Sequence, residues 1–485
     1  MELDPVTCHR ALAARDRRFD GLFFVGVSTT GVYCRPVCPA RTPRREHCSF
    51  FRRAAEAEGR GYRACLRCRP ELAPGAGPLE SGPRLAASAL ARIEAGFLNE
   101  GSVDELAASL GVSARHLRRA VVETLGVTPV ELAQTRRLGL AKQLLHDTRL
   151  SLAEVALASG FESVRRFNAL FRTRFGRPPS ELRREVGRSD AARDAVELRL
   201  DYRPRFDWPA LLAFLEARAT PGVEEVADGV YRRTVRHGGR TGWVSVAHDA
   251  RRPALLARVA PSLSGALMPL AARLRAAFDL DARPEAVAAH LERDPLLRRS
   301  VRRRPGLRLP GAFDGFEAAA RAVVGQHVSV RAATTVAGRL AAALGDPIET
   351  PFPGLDRLFP AAAVVGAAGE GAIAKLGMPG ARARALGALA NAVHTGALSL
   401  ETPADAARAR EALTALPGIG PWTADVIAMR ALAQPDAFPA ADLGIARALG
   451  ARSPREAEER AEPWRPWRAY AAMHLWTTLA EGGSR

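Results

Sequence analysis

A chain of 485 residues, 47% hydrophobic and 25% charged, has the balance of a folded protein rather than a disordered or fibrous one, and at about 150 residues per domain it predicts three domains or four. No apolar run reaches the roughly 18 residues of a membrane span, and the opening MELDPVTCHRALAARD lacks the basic-then-apolar order of a signal peptide, so a cytoplasmic, nucleoid-associated protein is expected. The net charge of +18 favours a polyanionic partner, double-stranded DNA first, and of the 70 basic residues only Lys142 and Lys375 are lysines.

All six cysteines fall near the N-terminus, at positions 8, 34, 38, 48, 65 and 68. In a reducing compartment disulfides are not expected. Cys34-x3-Cys38 and Cys65-x2-Cys68 have the spacing at which each pair reaches one tetrahedral zinc from a single turn. Cys8 and Cys48 have no close neighbour and read as packing thiols. Zinc holds its ligands as thiolates, the nucleophilic form of sulfur. Two readings follow: a purely structural zinc, or a sulfur placed to attack an electrophilic methyl group. The runs TTGVYCRPVCPAR (Thr29–Arg41) and GYRACLRCRPE (Gly61–Glu71) resemble the metal-binding N-terminal domain of the Ada family. That resemblance implies a domain over 1–74 holding one zinc on Cys34, Cys38, Cys65 and Cys68. It also implies that Cys34 irreversibly accepts a methyl group from a methylphosphotriester, with Arg35, Arg41, Arg44 and Arg45 holding the DNA backbone beside it.

Residues 73–84 (APGAGPLESGPR) are rich in Gly and Pro and read as a linker. An internal repeat follows: Ser102-Val-Asp-Glu105-Leu-Ala recurs as Ser151-Leu-Ala-Glu154-Val-Ala, and each copy is a capping box at a helix start. Gly111 and Gly160 mark a tight turn in each copy, followed by second helices predicted at 113–124 and about 162–174. Pro129–His146 is long enough to be a connecting helix. Two helix-turn-helix units in register, with basic second helices, are the reading. Together with the ending FRTRFGRPPSELRR (Phe171–Arg184) they resemble the AraC-type DNA-binding domain, here over 84–186. Such a domain sets its two second helices in successive major-groove segments. The candidate base-facing side chains are Arg115, His116, Arg118 and Arg119, then Ser163, Arg165, Arg166 and Asn168, with phosphate contact the alternative for each Arg. No cysteine follows Cys68, so transfer of a methyl group from O6-methylguanine to cysteine is not expected.

Around 187–195 the sequence reads as a second linker. Leu198–Ala219 then predicts a strand and a helix, Val230–Asp249 predicts hairpin strands, and from Phe313 the pattern is almost wholly helical. In ALTALPGIGPWTADVIAMRAL (Ala412–Leu432) a helix ends at Leu416, Pro417-Gly418-Ile419-Gly420 makes a tight hairpin, and a helix begins near Thr423. Gly418 and Gly420 let the main chain approach a phosphate that the next helix start attracts, the logic of a helix-hairpin-helix. Asp442 follows at a helix start after a loop. With FDWPALLAFLEARA (Phe206–Ala219), RPGLRLPGAFDGFEAAARAVVGQHVSV (Arg304–Val330) and PWRPWRAYAAMHLW (Pro463–Trp476), this half resembles the 3-methyladenine DNA glycosylase II (AlkA) family. The resemblance implies an α+β subdomain over 196–310 and a helix-hairpin-helix domain over 311–485. It makes Asp442 catalytic, puts Phe214, Trp422 and Trp476 in the base pocket, and replaces two pocket tyrosines by Val426 and Leu443. His327 becomes the wedge that fills the space left by an extruded base. Trp422 stands where relatives that also cut the backbone carry a Schiff-base lysine, so a monofunctional glycosylase is expected, with zinc the one transition metal.

The fold expected is multidomain and mainly α: a small zinc-bound α/β domain, an all-α double helix-turn-helix, an α+β subdomain and an α-helical glycosylase domain. The function expected is a self-methylating sensor and transcriptional activator fused to a glycosylase that releases 3-methyladenine and 7-methylguanine. Its expected partners are alkylated DNA, promoter sites and, once methylated, RNA polymerase, with the chain a monomer. The alternative is a transcription regulator whose C-terminal half is an inactive DNA clamp.

Overall fold

The computed structural model describes residues 3–75, 84–186, 194–401 and 406–482, so most of both predicted linkers (76–83 and 187–193) lies outside the described residues. The chain forms two compact units, one of Met1–Pro204, Asp249–Ala272 and Leu280–Ala282, the other of Arg205–His248, Arg273–Asp279 and Arg283–Arg485. No helix among the described residues is long and apolar enough to cross a membrane.

In the first unit, α1 (Pro5–Ala13) precedes β1 (Phe24–Val27), β2 (Val32–Cys34) and β3 (Cys48–Phe51), then α2 (Ala54–Gly59) and β4 (Arg63–Ala64). The four strands form one sheet in the order β3-β1-β2-β4, antiparallel except for the parallel pair β2–β4. Phe23, Val25, Cys8, Ala11 and Leu12 make its small apolar core. Cys8 is thus the packing thiol expected, and burial pushes it up to about 11.

Eight helices follow: α3 (Arg84–Glu94), α4 (Phe97–Glu100), α5 (Val103–Ser109), α6 (Ala114–Leu125), α7 (Pro129–Asp147), α8 (Leu152–Ala158), α9 (Val164–Phe175) and α10 (Pro179–Val186). Both predicted capping boxes form. The Glu105 N–H donates to Ser102 Oγ at 3.1 Å while Glu105 Oε2 accepts from the Ser102 N–H at 2.7 Å, and the Ser151–Glu154 pair repeats this at 3.2 and 2.6 Å. A third box, Thr128–Glu131, opens α7. Gly111 and Gly160 turn the chain at φ of +71° and +82°, a region that suits glycine. Because Ser113 and Ser163 cap the second helices, α6 and α9 start a residue or two later than predicted. In the second copy Phe161, Phe167, Phe171 and Phe175 pack ring on ring, with centroids 5.3, 5.6 and 4.4 Å apart.

Downstream come β5 (Val196–Asp201), α11 (Trp208–Glu216), β6 (Glu224–Ala227), β7 (Val230–His237), β8 (Arg240–His248) and β9 (Ala254–Val259). The helices α12 (Leu267–Ala277), α13 (Pro284–Leu291), α14 (Pro295–Arg303), α15 (Gly315–Val324) and α16 (Val330–Leu344) follow. The chain ends in α17 (Ala362–Ala367), α18 (Glu370–Ala374), α19 (Gly380–His394), α20 (Ala406–Thr414), α21 (Pro421–Arg430), α22 (Leu443–Leu449), α23 (Pro454–Ala461) and α24 (Arg468–Gly482).

In the first unit β5 pairs antiparallel with β9. In the second, β6, β7 and β8 form an antiparallel meander, with Gly238 and Gly239 turning the predicted hairpin at positive φ. Two ion pairs, the buried Arg233–Glu317 and the partly buried Arg321–Glu224 (2.6 Å each), fasten α15 to that meander. The helical part has two apolar cores. One is built by α15, α16, α19 and α21, the other around Trp464 by α13, α14, α22 and α24.

Candidate metal centre and candidate active site

The parallel register of β2 and β4 sets Tyr33 beside Ala64, which carries the next residues, Cys34 and Cys65, to the same end of the sheet. A turn closed by the Cys38 N–H on the Arg35 carbonyl returns Cys38 to that end. The sulfurs of Cys34, Cys38, Cys65 and Cys68 all lie within 4.8 Å of one another. Sulfurs bound tetrahedrally at about 2.3 Å from zinc sit roughly 3.8 Å apart, so the four thiols fit one ion, and an all-thiolate donor set is the chemistry that zinc selects. The backbone N–H of Arg35 points at Cys68 Sγ, 3.4 Å away.

Cys38, Cys65 and Cys68 are buried and Cys34 is half-buried; Cys34, Cys38 and Cys65 border a cavity of about 570 Å³ lined also by Thr29, Thr30, Arg41, Arg44 and His47. Arg41 and Arg44 are exposed at this mouth, and Arg45 next to them in sequence is exposed too. Arg35, expected at the DNA backbone, is not: it is 5% exposed. Its Nε donates to Asp20 Oδ1 at 2.8 Å and its Nη1 to Asp201 Oδ2 at 3.0 Å. Two carboxylates and burial take Arg35 out of reach of a phosphate and make it a fastener of the loop that carries Cys34 and Cys38.

The same domain rests on α7 and α9 through buried polar contacts that the sequence reading missed. Lys142 Nζ, fully buried, donates to the Cys65 carbonyl at 3.0 Å and to Glu71 Oε2 at 2.8 Å. Arg69 makes a two-pronged bond to Asp147 at 2.7 and 2.8 Å, and Glu58 accepts from Tyr33 (3.0 Å), Thr135 and Arg174. Gly139 leaves room for Glu71, whose Cβ lies 3.1 Å from where a Cβ at 139 would stand. The one available signal was Lys142 itself, a rare lysine among arginines. Arg115, His116, Arg118 and Arg119 of α6 are exposed, as are Ser163, Arg165, Arg166 and Asn168 at the start of α9.

In the second unit α20 ends at Thr414, Gly418 turns at φ +77°, and α21 begins at Pro421 with Gly420 as its N-cap. The helix starts two residues before the predicted Thr423 because proline is well suited to the first helical turn. Asp442 is the N-cap of α22: its Oδ1 accepts from the N–H groups of Gly444 and Ile445, both at 3.0 Å. The Trp476 indole N–H reaches Oδ1 and the Trp422 indole N–H reaches Oδ2, both at 3.1 Å. Four N–H donors therefore hold one half-buried carboxylate.

Phe214 and Trp476 pack against the same apolar cluster. The Phe214 ring also carries two guanidinium carbons, of Arg218 and Arg430, at 3.8 and 4.7 Å from its centroid. Burial lowers these two arginines to about 10 and about 9. Leu443 is 83% exposed beside Asp442. His327 is exposed and non-glycine at φ +54°, a strained conformation for its side chain. The arrangement sets one anionic oxygen pair against two indole N–H groups at a helix start, a fixed negative group able to stabilise positive charge developing beside it.

Residues 7–71 match the family model of the metal binding domain of Ada, 106–185 that of a helix-turn-helix domain, and 197–314 that of the AlkA N-terminal domain. The chain is 43% identical over 482 residues to a probable bifunctional transcriptional activator/DNA repair enzyme AlkA of Mycobacterium tuberculosis, covering 97% of this chain and 96% of the relative. It is 37% identical over 279 residues to DNA-3-methyladenine glycosylase 2 of Escherichia coli, covering 58% of this chain and 96% of the relative. A 3-methyladenine DNA-glycosylase from Archaeoglobus fulgidus shares its fold over 58% of this chain and 97% of its own, with a TM-score of 0.51 at 23% identity.

Proposed function

The chain belongs to the family of bifunctional transcriptional activator/DNA repair enzymes AlkA, and from that premise we propose that it joins two reactions against DNA alkylation in one polypeptide. Domains over 1–74, 84–186, 196–310 and 311–485 divide the work. In the first reaction Cys34 attacks the methyl group of a methylphosphotriester: a sulfur–carbon bond forms, the methyl–oxygen bond breaks, and the phosphate leaves as a diester anion. Zinc, when bound by Cys34, Cys38, Cys65 and Cys68, keeps sulfur in its thiolate form. The half-exposure of Cys34, against three buried partners, supports it as the acceptor.

Methylation turns that thiolate into a neutral thioether and removes one negative charge from the four-sulfur site. Repulsion from DNA phosphates then falls and affinity rises, most at low salt. The exposed faces of α6 and α9 would read a promoter, and contact with RNA polymerase would follow in the methylated form. The chain acts as a monomer.

In the second reaction Asp442 stabilises oxocarbenium charge on the sugar and orients water as the N-glycosidic bond breaks. The base takes the bonding pair, water adds to the sugar carbon and its proton leaves to Asp442 or solvent. A base alkylated at N3 or N7 is already cationic, so little acid catalysis is required. With Trp422 in place of a lysine amine, the product is an abasic site in an intact strand.

The observation that carries this reading is the carboxylate of Asp442, held by four N–H donors at a helix start between two indoles. Asp442→Asn keeps the shape and removes the charge. We expect release of 3-methyladenine from alkylated duplex to fall by about a thousandfold, the scale of losing one preorganised charge-stabilising group. Equal release by the variant would remove Asp442 from the chemistry.

A further inference from the structure

The five-residue connection from α15 to α16 (Gly325-Gln326-His327-Val328-Ser329) is exposed from His327 onward, with Val328 40% and Val330 42% exposed. Such a tip would swing if nothing held it. Gln326 holds it. Its side-chain amide Nε2 donates to the Gly418 carbonyl and to Thr423 Oγ1, both at 2.9 Å. Gly418 is the turn of the hairpin, and Thr423 lies buried in the first turn of α21, the helix whose start faces a phosphate in the proposed reading. The N-terminal part of α19 touches the same corner: Arg382 donates to the Val324 carbonyl at 3.4 Å, and Ala385 Cβ lies 2.8 Å from where a Cβ on Gly418 would stand.

Resting on the glycosylase reading, we infer that Gln326 is a positioning residue that braces the His327 loop on the hairpin that grips the DNA backbone. The brace fixes the offset between two contacts on one duplex. When backbone N–H groups of the hairpin seat on a phosphate, the loop tip is carried to the base stack at a set distance and does not have to be ordered during extrusion. The strained backbone at His327 is then kept in place by its neighbour's two hydrogen bonds. With its amide Nε2 spent on Gly418 and Thr423, Gln326 acts through the loop rather than on the base or sugar. Its loss should weaken extrusion of a paired base while leaving grip on the backbone and the bond-breaking step intact.

The test uses the full chain with Gln326→Met, which keeps length and removes the donors, and Thr423→Val, which removes one acceptor with little change of shape. Binding and fluorescence are followed on a duplex with 2-aminopurine beside a tetrahydrofuran abasic analogue, where insertion of a side chain unstacks the reporter. For Gln326→Met the fluorescence rise at saturation should fall about threefold with Kd within about twofold of wild type, and Thr423→Val should fall between the two. Excision of 3-methyladenine should drop about tenfold from a paired duplex and stay within about twofold when the lesion sits in a bulge, where no pairing has to be broken.

An unchanged fluorescence rise, or equal losses on paired and bulged substrates, would overturn the inference in favour of an ordinary loop-closing contact. Should the wild-type chain unstack the reporter, and Gln326→Met fail to, while neither releases any base, the brace stands and the glycosylase reading falls.

Discussion

Arg35 and Arg45 carry the same charge in the same basic segment, yet only Arg45 faces solvent. Arg45→Ala should reduce the slope of log K against log salt for DNA binding by about one and leave melting unchanged. Arg35→Ala should do the reverse. It strands the buried carboxylate of Asp20, leaves Asp201 with Arg199 but without its second cation, and costs about 3 kcal/mol, read as a lower Tm of the first unit. A variant lacking Arg35 that melts like wild type and binds DNA with a shallower salt slope would restore it to the DNA face. The sequence could not separate the two arginines, because the partners of Arg35 stand 15 and 166 residues away. The place of Asp442 at a helix start was legible for the opposite reason: a lone acid after a loop is a local pattern, and the resemblance singled it out. Trp422 and Trp476 were singled out for the pocket, but not as donors to its carboxylate, since they lie 20 and 34 residues from it and come together only in the folded helical domain.

Elements whose signals are local came through at close to their true bounds. Ser102–Glu105 and Ser151–Glu154 announce α5 and α8 because each box is completed within four residues. What those elements are pressed against is a long-range matter, and the seat of the zinc-binding domain on α7 shows it. There Glu71 is buried, and although burial opposes its charge, Lys142 and Arg69 outweigh that and hold its carboxyl below the ordinary range. A depressed carboxylate contributes stability above its unfolded pKa and loses it as pH falls. His146 beside it is pulled down to about 4, by burial first and then by Arg69. The unfolded chain therefore binds a proton on this histidine between about 6.5 and 4 that the folded chain refuses, and stability again falls with pH.

Both groups act in one direction, and Glu58, whose carboxyl burial pushes up, acts in the other. The fall in Tm of the first unit from pH 7 to pH 4 should therefore shrink in Glu71→Gln and in His146→Gln chains. Lys142→Met should lower Tm at pH 7 by the equivalent of ~3 kcal/mol, with Glu71→Gln in the same chain recovering part of it. Thermal melts across that range decide this: a fall unchanged in Glu71→Gln and in His146→Gln, or a Lys142→Met chain as stable as wild type, would mean that the contact holds nothing together.

At the scale of the molecule, the +18 charge is a shared property of parts with different tasks. It draws any stretch of DNA, and on that cationic background the proposed chemistry sets sulfur at Cys34 against a methyl carbon and oxygen at Asp442 against the sugar carbon of a damaged nucleotide. The order of the parts was readable from cysteine spacing, a repeated capping box and a glycine hairpin. The division into compact units was not, because β5 and β9 lie in the first unit while β6, β7 and β8 lie in the second, and no local pattern announces that split.

The most direct measurement treats one duplex with a methylating agent, adds the zinc-loaded full chain, and assays the same sample for peptide mass and for free base. The account predicts the mass of one methyl group on the peptide bearing Cys34, absent in Cys34→Ala, together with free 3-methyladenine that Asp442→Asn does not release. An unmodified Cys34 in a sample whose damaged bases all remain attached to the DNA would contradict it.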